Sequence, residues 1–218
     1  MYDGKQDCHL IGRNEKELKE IATKLNYSYS VCDVLKLNFA DKLFQNLGEI
    51  EILGIAYCIG SIDLKPLRIT KAKDFVSTYV LNLVAATDII RTFQDNLKRN
   101  NGSIVMFSTV AAKKGFPNHS IISPAKAAVE GLTVALAAEL APHTRVNCIA
   151  PGAVQTDMLA ADVGDKPENW EQLGGFIPLG RVGQPIDIAA TALFLASDAA
   201  NYVTAQIITV DAGLTEKM

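Results

Sequence analysis

The sequence predicts an α/β fold built on a parallel sheet, and three observations carry that reading. Strand-like runs alternate with helical patterns from one end of the chain to the other. The run Ile50 to Cys58 is apolar almost throughout, as a strand buried on both faces of a parallel sheet would be. Pro and Gly gather where strands end, as in Ala150-Pro151-Gly152, making loops at the carboxyl edge of a sheet. With 218 residues, 49% hydrophobic and 7% aromatic, the chain holds material for one good-sized core, so residues 1–218 are expected to form a single domain.

Taken in order, Gln6 to Gly12 reads as a short strand ending in Gly-Arg-Asn. Asn14 and Glu17 make a capping-box pattern ahead of a helix with Leu18, Ile21, Ala22 and Leu25 on one face. A second strand, Tyr27 to Val34, alternates Tyr27, Tyr29 and Val31 against Ser28, Ser30 and Cys32. Asn38 with Asp41 opens a short helix carrying Phe39, Leu43, Phe44 and Leu47, before the strand Ile50 to Cys58. A long helical segment follows, Lys73 to Lys98, with Asn82 set between leucines. Asn is a mediocre helix former, so an interior Asn points to a hydrogen-bonding job.

Ser103 to Ser108 is the next strand. A loop with Gly115 and Pro117 leads from it to a helix, Pro124 to Ala141, bearing Lys126 near its start. Arg145 to Ile149 is a strand running into Pro151, Gly152 and Thr156. Residues Asp157 to Gln184, with Trp170, Leu173 and Phe176, read as a long loop, suited either to a substrate-covering lid or to a surface excursion. A helix, Asp187 to Ser197, and a strand, Gln206 to Val210, lead to Asp211-Ala212-Gly213.

Residues 101 to 131 thus place hydroxyls at a strand end, a glycine-bearing loop and a lysine at a helix start. With Asn82 and the Pro151-Gly152 turn, they resemble the catalytic segment of the short-chain dehydrogenase/reductase family, and in particular its 3-oxoacyl reductases. There a strand-end Ser precedes Tyr-x-x-x-Lys. In register, Thr109 takes the place of the serine, Lys126 that of the lysine, and Ile122 stands at the tyrosine position. The resemblance runs from Gln6 to Gly213 and implies a Rossmann-like doubly wound parallel sheet.

The resemblance further implies that Asn82, Thr109 and Lys126 are what remains of a catalytic set. Asn82 would organise water, Thr109 would hold the substrate oxygen, and Lys126 would hold the cofactor ribose. NADP or NAD contacts are implied at Arg13, Asp33, Val34, Gly60, Lys126, Pro151, Gly152, Val154 and Thr156. Among these Arg13 would meet the 2′-phosphate of NADP, Asp33 and Val34 the adenine, and the Pro151-Gly152 turn the nicotinamide carboxamide.

Two departures bear on function. Ile122 cannot transfer a proton, and losing a positioned general acid removes about 10²- to 10⁴-fold of rate. No G-x-x-x-G-x-G turn occurs, so the first βα unit of the family fold is expected to be absent, the chain truncated at its N-terminus relative to the family, and the dinucleotide weakly held. Two readings stay open. One is an NADP-preferring oxidoreductase, weak or inactive on a carbonyl or alcohol substrate; the other is a non-catalytic scaffold or ligand-binding pseudoenzyme of the same fold. His119, Ser120, Ser123 and Tyr57 are conceivable substitutes for the phenol. Without the resemblance, Lys126 reads as a solvated helix lysine, Thr109 as a strand-end hydroxyl, Arg13 as a surface arginine, Asp33 as a strand-end cap and Gly60 as a turn glycine.

A formal net charge of -3 with both signs interspersed offers no basic stripe for nucleic acid or a membrane surface, so a small-molecule substrate fits better. Cys8, Cys32, Cys58 and Cys148 make no CxxC pair and read as free thiols in a reducing cytoplasm, with no metal site. No signal-peptide pattern opens the chain, and the stretch Ala127 to Ala141 is too short to span a bilayer. Small residues along that helix, Ala127, Ala128, Ala135, Ala137 and Ala138, predict close helix approach in a homo-oligomer.

Overall fold

The computed structural model describes residues 8–48 and 50–216, so Gln6 and Asp7 of the first expected strand lie outside the described residues. The chain divides into two compact units, Met1–Ile50 and Glu51–Met218.

In the first unit, β1 (His9–Gly12) pairs in parallel with β2 (Ser28–Val31), His9 opposite Ser28. Both ring nitrogens of His9 meet hydroxyls, Nδ1 at 2.8 Å from Ser28 Oγ and Nε2 at 2.9 Å from Ser30 Oγ. Between the strands runs α1 (Glu15–Leu25), whose cap Asn14 accepts from the Glu17 amide as the capping pattern predicts. The reciprocal arm differs, because the Glu17 carboxylate takes the Asn14 side-chain amide. Ala22 is buried, yet Ile21 and Leu25 are 48% and 49% exposed, so the apolar face of α1 is only partly covered.

The alternation expected of the second strand is not realised. β2 is shorter than Tyr27 to Val34, Tyr29 and Ser30 are both half-buried, and Val31 is exposed. A strand in a two-stranded ladder lacks the flanking strands and packed face that enforce a period of two. α2 (Phe39–Leu47) buries Phe39, Ala40 and Leu43. Its cap differs from expectation: Asn38 takes the left-handed conformation with φ 56 and makes no side-chain capping bond.

In the second unit, β3 (Gly54–Tyr57), β4 (Ser103–Phe107), β5 (Arg145–Pro151) and β6 (Ile207–Val210) form one parallel sheet in that order. Helices α3 (Ala72–Tyr79), α4 (Ala85–Arg99), α5 (Ile122–Leu140), α6 (Asp157–Val163), α7 (Pro167–Gly174) and α8 (Pro185–Ala196) connect and cover it. Successive strand residues point to opposite faces, and β4 uses both. Ile104 and Met106 pack with Ile90 and Leu97 of α4 and Val129 and Ala137 of α5. Val105, with Ile149 of β5, packs with Leu195 of α8. Helices on both faces of a parallel sheet make the doubly wound arrangement.

Three details depart from the sequence reading. β3 is the terminal strand of its sheet rather than one buried on both faces, so Gly54 and Ala56 are exposed and Leu53 is 58% exposed. The helical segment around Asn82 is interrupted by a π-helical turn, Val80–Val84, between α3 and α4. The segment Asp157 to Gln184 is mostly helical, as α6 and α7, rather than a long loop. No helix among the described residues is long and apolar enough to cross a membrane.

Leu97, 0% exposed at the centre of the α4 contact, tests this packing. Leu97→Ala should cost about 2–5 kcal/mol of unfolding free energy, read as a lowered urea midpoint with an unchanged slope.

Candidate functional site

At the end of β4 the chain turns through a short 3-10 segment, Val110–Ala112, which Thr109 caps by accepting from the Ala111 amide at 3.3 Å. That contact uses a lone pair and leaves the hydroxyl proton for another acceptor. The chain then enters α5, whose first residue is Ile122 and whose second turn begins near Lys126. Four residues apart on a helix, the two share a face. Ile122 is 2% exposed.

Lys126 donates from Nζ to the Phe107 carbonyl at 2.8 Å. Burial pushes its ammonium down from the ordinary lysine value to about 8, partly opposed by the nearby thiols of Cys148 and Cys58. Asn82 sits in the π-helical turn, an irregularity that often marks functional sites. Its amide donates to the Thr78 carbonyl at 2.9 Å, while its Oδ1 is buried without a partner. A Cβ on Gly60 would lie 2.8 Å from Asn82 Oδ1 and 3.3 Å from Lys126 Nζ, so only glycine leaves these two groups their space. Gly60, Asn82 and Lys126 therefore meet.

β5 carries Pro151 at its end. The Gly152 amide donates to the Val210 carbonyl at 3.0 Å, and a Cβ there would lie 2.7 Å from Asp211 Cβ. Val154 makes an isolated parallel bridge with Gly183. Thr156 caps α6, its hydroxyl accepting from the Leu159 amide at 3.3 Å. In the first unit, Arg13 borders an open surface depression with Asn14, Glu15, Lys16 and Lys19. Asp33 accepts from the Leu35 amide at 3.0 Å, and Val34 is buried.

Sequence reasoning missed a buried polar pair. Ser108 donates to Glu130 Oε1 at 2.8 Å, its oxygen also lies 3.2 Å from the Lys126 carbonyl, and Lys113 Nζ lies 3.6 Å from Glu130 Oε2. The signal was available, since Glu130 interrupts an apolar helix one turn beyond Lys126. Of the conceivable phenol substitutes, Tyr57 donates its hydroxyl to the Leu81 carbonyl at 2.8 Å, and burial pushes its phenol well above the ordinary value. It is a poor proton donor. His119, Ser120 and Ser123 all line one cavity, which Thr109, Ile122 and Lys126 do not line.

A family model described as enoyl-(acyl carrier protein) reductase matches residues 8–215. The chain is 34% identical over 191 residues to 3-oxoacyl-(acyl-carrier-protein) reductase FabG of Chlamydia trachomatis, covering 86% of this chain and 76% of that protein. The chain belongs to the short-chain dehydrogenase/reductase family. Carbonyl reductase family member 4 of Danio rerio is 31% identical over 211 residues, 94% of this chain and 86% of that one. The match to FabG of Chlamydia muridarum spans 47% of that protein's length. A short-chain type dehydrogenase/reductase from Mycobacterium ulcerans superposes with a TM-score of 0.87 at 26% identity, covering 96% of this chain and 80% of the other. A Beutenbergia cavernae protein, assigned as an NAD(P)-dependent gluconate 5-dehydrogenase and carrying NADP at low occupancy, superposes at 0.86 and 31% identity, covering 95% and 86%. The family is one of oxidoreductases acting on small molecules, and its doubly wound parallel fold is the one seen here.

The half-buried Lys126 makes stability depend on pH. Between about 8 and 10.5 the unfolded chain keeps a proton that the folded chain has released, so its contribution to stability rises with pH across that window. Lys126→Met should abolish this term, and the stability difference should shift in the parent's favour as pH rises from about 8 to 10.5 in urea unfolding.

Proposed function

We propose that this chain is an NADP-preferring oxidoreductase acting weakly on a carbonyl or alcohol substrate. The observation that carries the proposal is Ile122, buried to 2% at the first position of α5, four residues before Lys126. An aliphatic side chain there leaves hydride transfer without its proton partner, while Asn82, Thr109 and Lys126 keep the polar groups that would position water, substrate oxygen and ribose.

NADP or NAD would supply the hydride when bound. The residues at the nicotinamide end fit such a group: Lys126 supplies a donor and the unpartnered Asn82 Oδ1 an acceptor, with clearance at Gly60. By the family resemblance, Pro151, Gly152, Val154 and Thr156 are assigned to the carboxamide side, and Arg13, Asp33 and Val34 are candidates for adenosine contacts. Binding is weak because no glycine-rich turn presents amides to the diphosphate. The reading extends to one Rossmann-type domain over residues 1–218 and to a cytoplasmic setting suited to Cys8, Cys32, Cys58 and Cys148, none of which is in a disulfide.

A second reading, a non-catalytic scaffold or ligand-binding pseudoenzyme, is favoured by a specific feature. Ile122 stands at the tyrosine position with a side chain that cannot transfer a proton. NADPH titration by fluorescence, followed by assays of Ile122→Tyr on a panel of ketones, separates the two. A catalytic ancestry predicts that the variant gains about 10²-fold or more in rate over a barely active parent. Binding without reduction in the variant selects the scaffold, and brisk turnover by the parent would reject the assignment of Ile122.

The chain is also proposed to self-associate through α5 and the α3–α4 segment. Ala127, Gly131, Val134, Ala135 and Ala138 are exposed on α5, whereas Ala137 faces the core at 3% exposure and drops out of the expected contact. Sedimentation at micromolar concentration should show a dimer or larger species; a strictly monomeric profile would dismiss it.

A further inference from the structure

Lys126 is placed for a chemistry that needs no nucleotide. Its side chain is half-buried, and Nζ donates to the Phe107 carbonyl at 2.8 Å. The titratable groups that act on it are the thiols of Cys148, on β5, and Cys58, just past β3, with no carboxylate among them. Glu130, one turn further along α5, is engaged instead by Ser108 and Lys113. Burial without a counter-charge holds the ammonium at about 8, so part of the side chain is free amine near neutral pH. A neutral amine can give one N–H to Phe107 and keep its lone pair.

Beside this amine stands an unused acceptor. Asn82 is 2% exposed, and its Oδ1 has no hydrogen-bond partner. Leaving a buried acceptor unmet is costly, so a hydroxyl that donates to it is favoured. The two groups border one spot: the point that a Cβ on Gly60 would occupy lies 2.8 Å from Asn82 Oδ1 and 3.3 Å from Lys126 Nζ, and glycine keeps it clear. Gly60 is half-buried and Cys58 is exposed, so this end of β3 is open to solvent.

A nucleophilic nitrogen next to an acceptor for a hydroxyl matches the two atoms of a carbonyl group undergoing addition. The carbon bonds to nitrogen while the oxygen becomes a hydroxyl. The narrow clearance at Gly60 suits an aldehyde, which carries only hydrogen on one side of the carbonyl. No second cation is among the charges acting on Lys126, so nothing there would hold an anionic ligand once the amine is consumed.

We propose that Lys126 forms an imine with small, neutral aliphatic aldehydes. The Nζ lone pair attacks the carbonyl carbon, and a proton passes from nitrogen to oxygen to give a carbinolamine whose hydroxyl donates to Asn82 Oδ1. Water then leaves with that oxygen as the C=N bond forms, and on protonation the imine N–H donates to the Phe107 carbonyl. Amine plus aldehyde gives imine plus water, with nothing oxidised or reduced. The step shares Lys126 with the redox reading but does not rest on it, because it uses neither nucleotide nor hydride transfer.

The test is reductive trapping on the full, nucleotide-free chain near neutral pH. Propanal with sodium cyanoborohydride converts an imine into a propylated amine, which peptide mapping by mass spectrometry locates. Lys126 should be propylated about tenfold or more faster than exposed lysines such as Lys16 and Lys24. Gly60→Ala, compared at native circular dichroism, should slow labelling of Lys126 by about tenfold, because the added methyl takes the spot between Oδ1 and Nζ. Should that variant not fold, the rates in the parent decide alone. Labelling of Lys126 no faster than that of the exposed lysines, or undiminished labelling in a folded Gly60→Ala, would overturn the assignment. Because no nucleotide is present, such a failure leaves the oxidoreductase reading standing.

Discussion

An ammonium drawn half-buried against the end of a parallel sheet has to be met by acceptors, and that requirement organises the second unit. Lys126 is carried inward by α5, and its Nζ finds the Phe107 carbonyl at the end of β4. The same junction is tied twice more, because the Ser108 hydroxyl contacts both the Lys126 carbonyl and the Glu130 carboxylate. On the opposite side, Asn82 is turned into place by a π-helical turn, and the Tyr57 hydroxyl ties β3 to that turn through Leu81. Buried polar groups of this kind are costly unless every partner is present. The register of α5 against β4 is therefore set by hydrogen bonds as much as by apolar packing.

That register also decides what happens at Ile122. Once Lys126 faces the end of β4, the residue one turn earlier faces the same side and must be accommodated there. An aliphatic chain at that point adds roughly 1.5–3 kcal/mol of burial and needs no hydrogen-bond partner. Local packing is satisfied while proton transfer is lost. The position thus separates the two demands that a phenol would have met together, and the neighbouring donors and acceptors survive because they also hold the fold.

Much of the architecture was legible because it rests on short-range patterns. The Asn14 cap, the strand Ser103 to Phe107, the helix start before Lys126 and the Pro151-Gly152 turn all follow from residues within a few positions of each other. The features that were not legible depend on distant neighbours. β3 reads as doubly buried from its composition, but burial is set by which strands flank it. The alternation in Tyr27 to Val34 predicts one buried face, but a two-stranded ladder gives that pattern little to act on. The π-helical turn at Asn82 and the Ser108–Glu130 pair each need partners from another element, 22 residues away in the second case.

By itself, the sequence determined the succession of strands and helices and placed Thr109, Ile122 and Lys126 in family register, because caps, turns and helical spacing act between near neighbours. It also determined that a proton-bearing side chain is absent at position 122. Only the tertiary structure decided that Gly60, Asn82 and Lys126 converge, that Tyr57 is committed to a backbone carbonyl, and that His119, Ser120 and Ser123 open on a different cavity. Those outcomes depend on how β3, β4 and α5 pack, and packing joins residues that no local pattern connects.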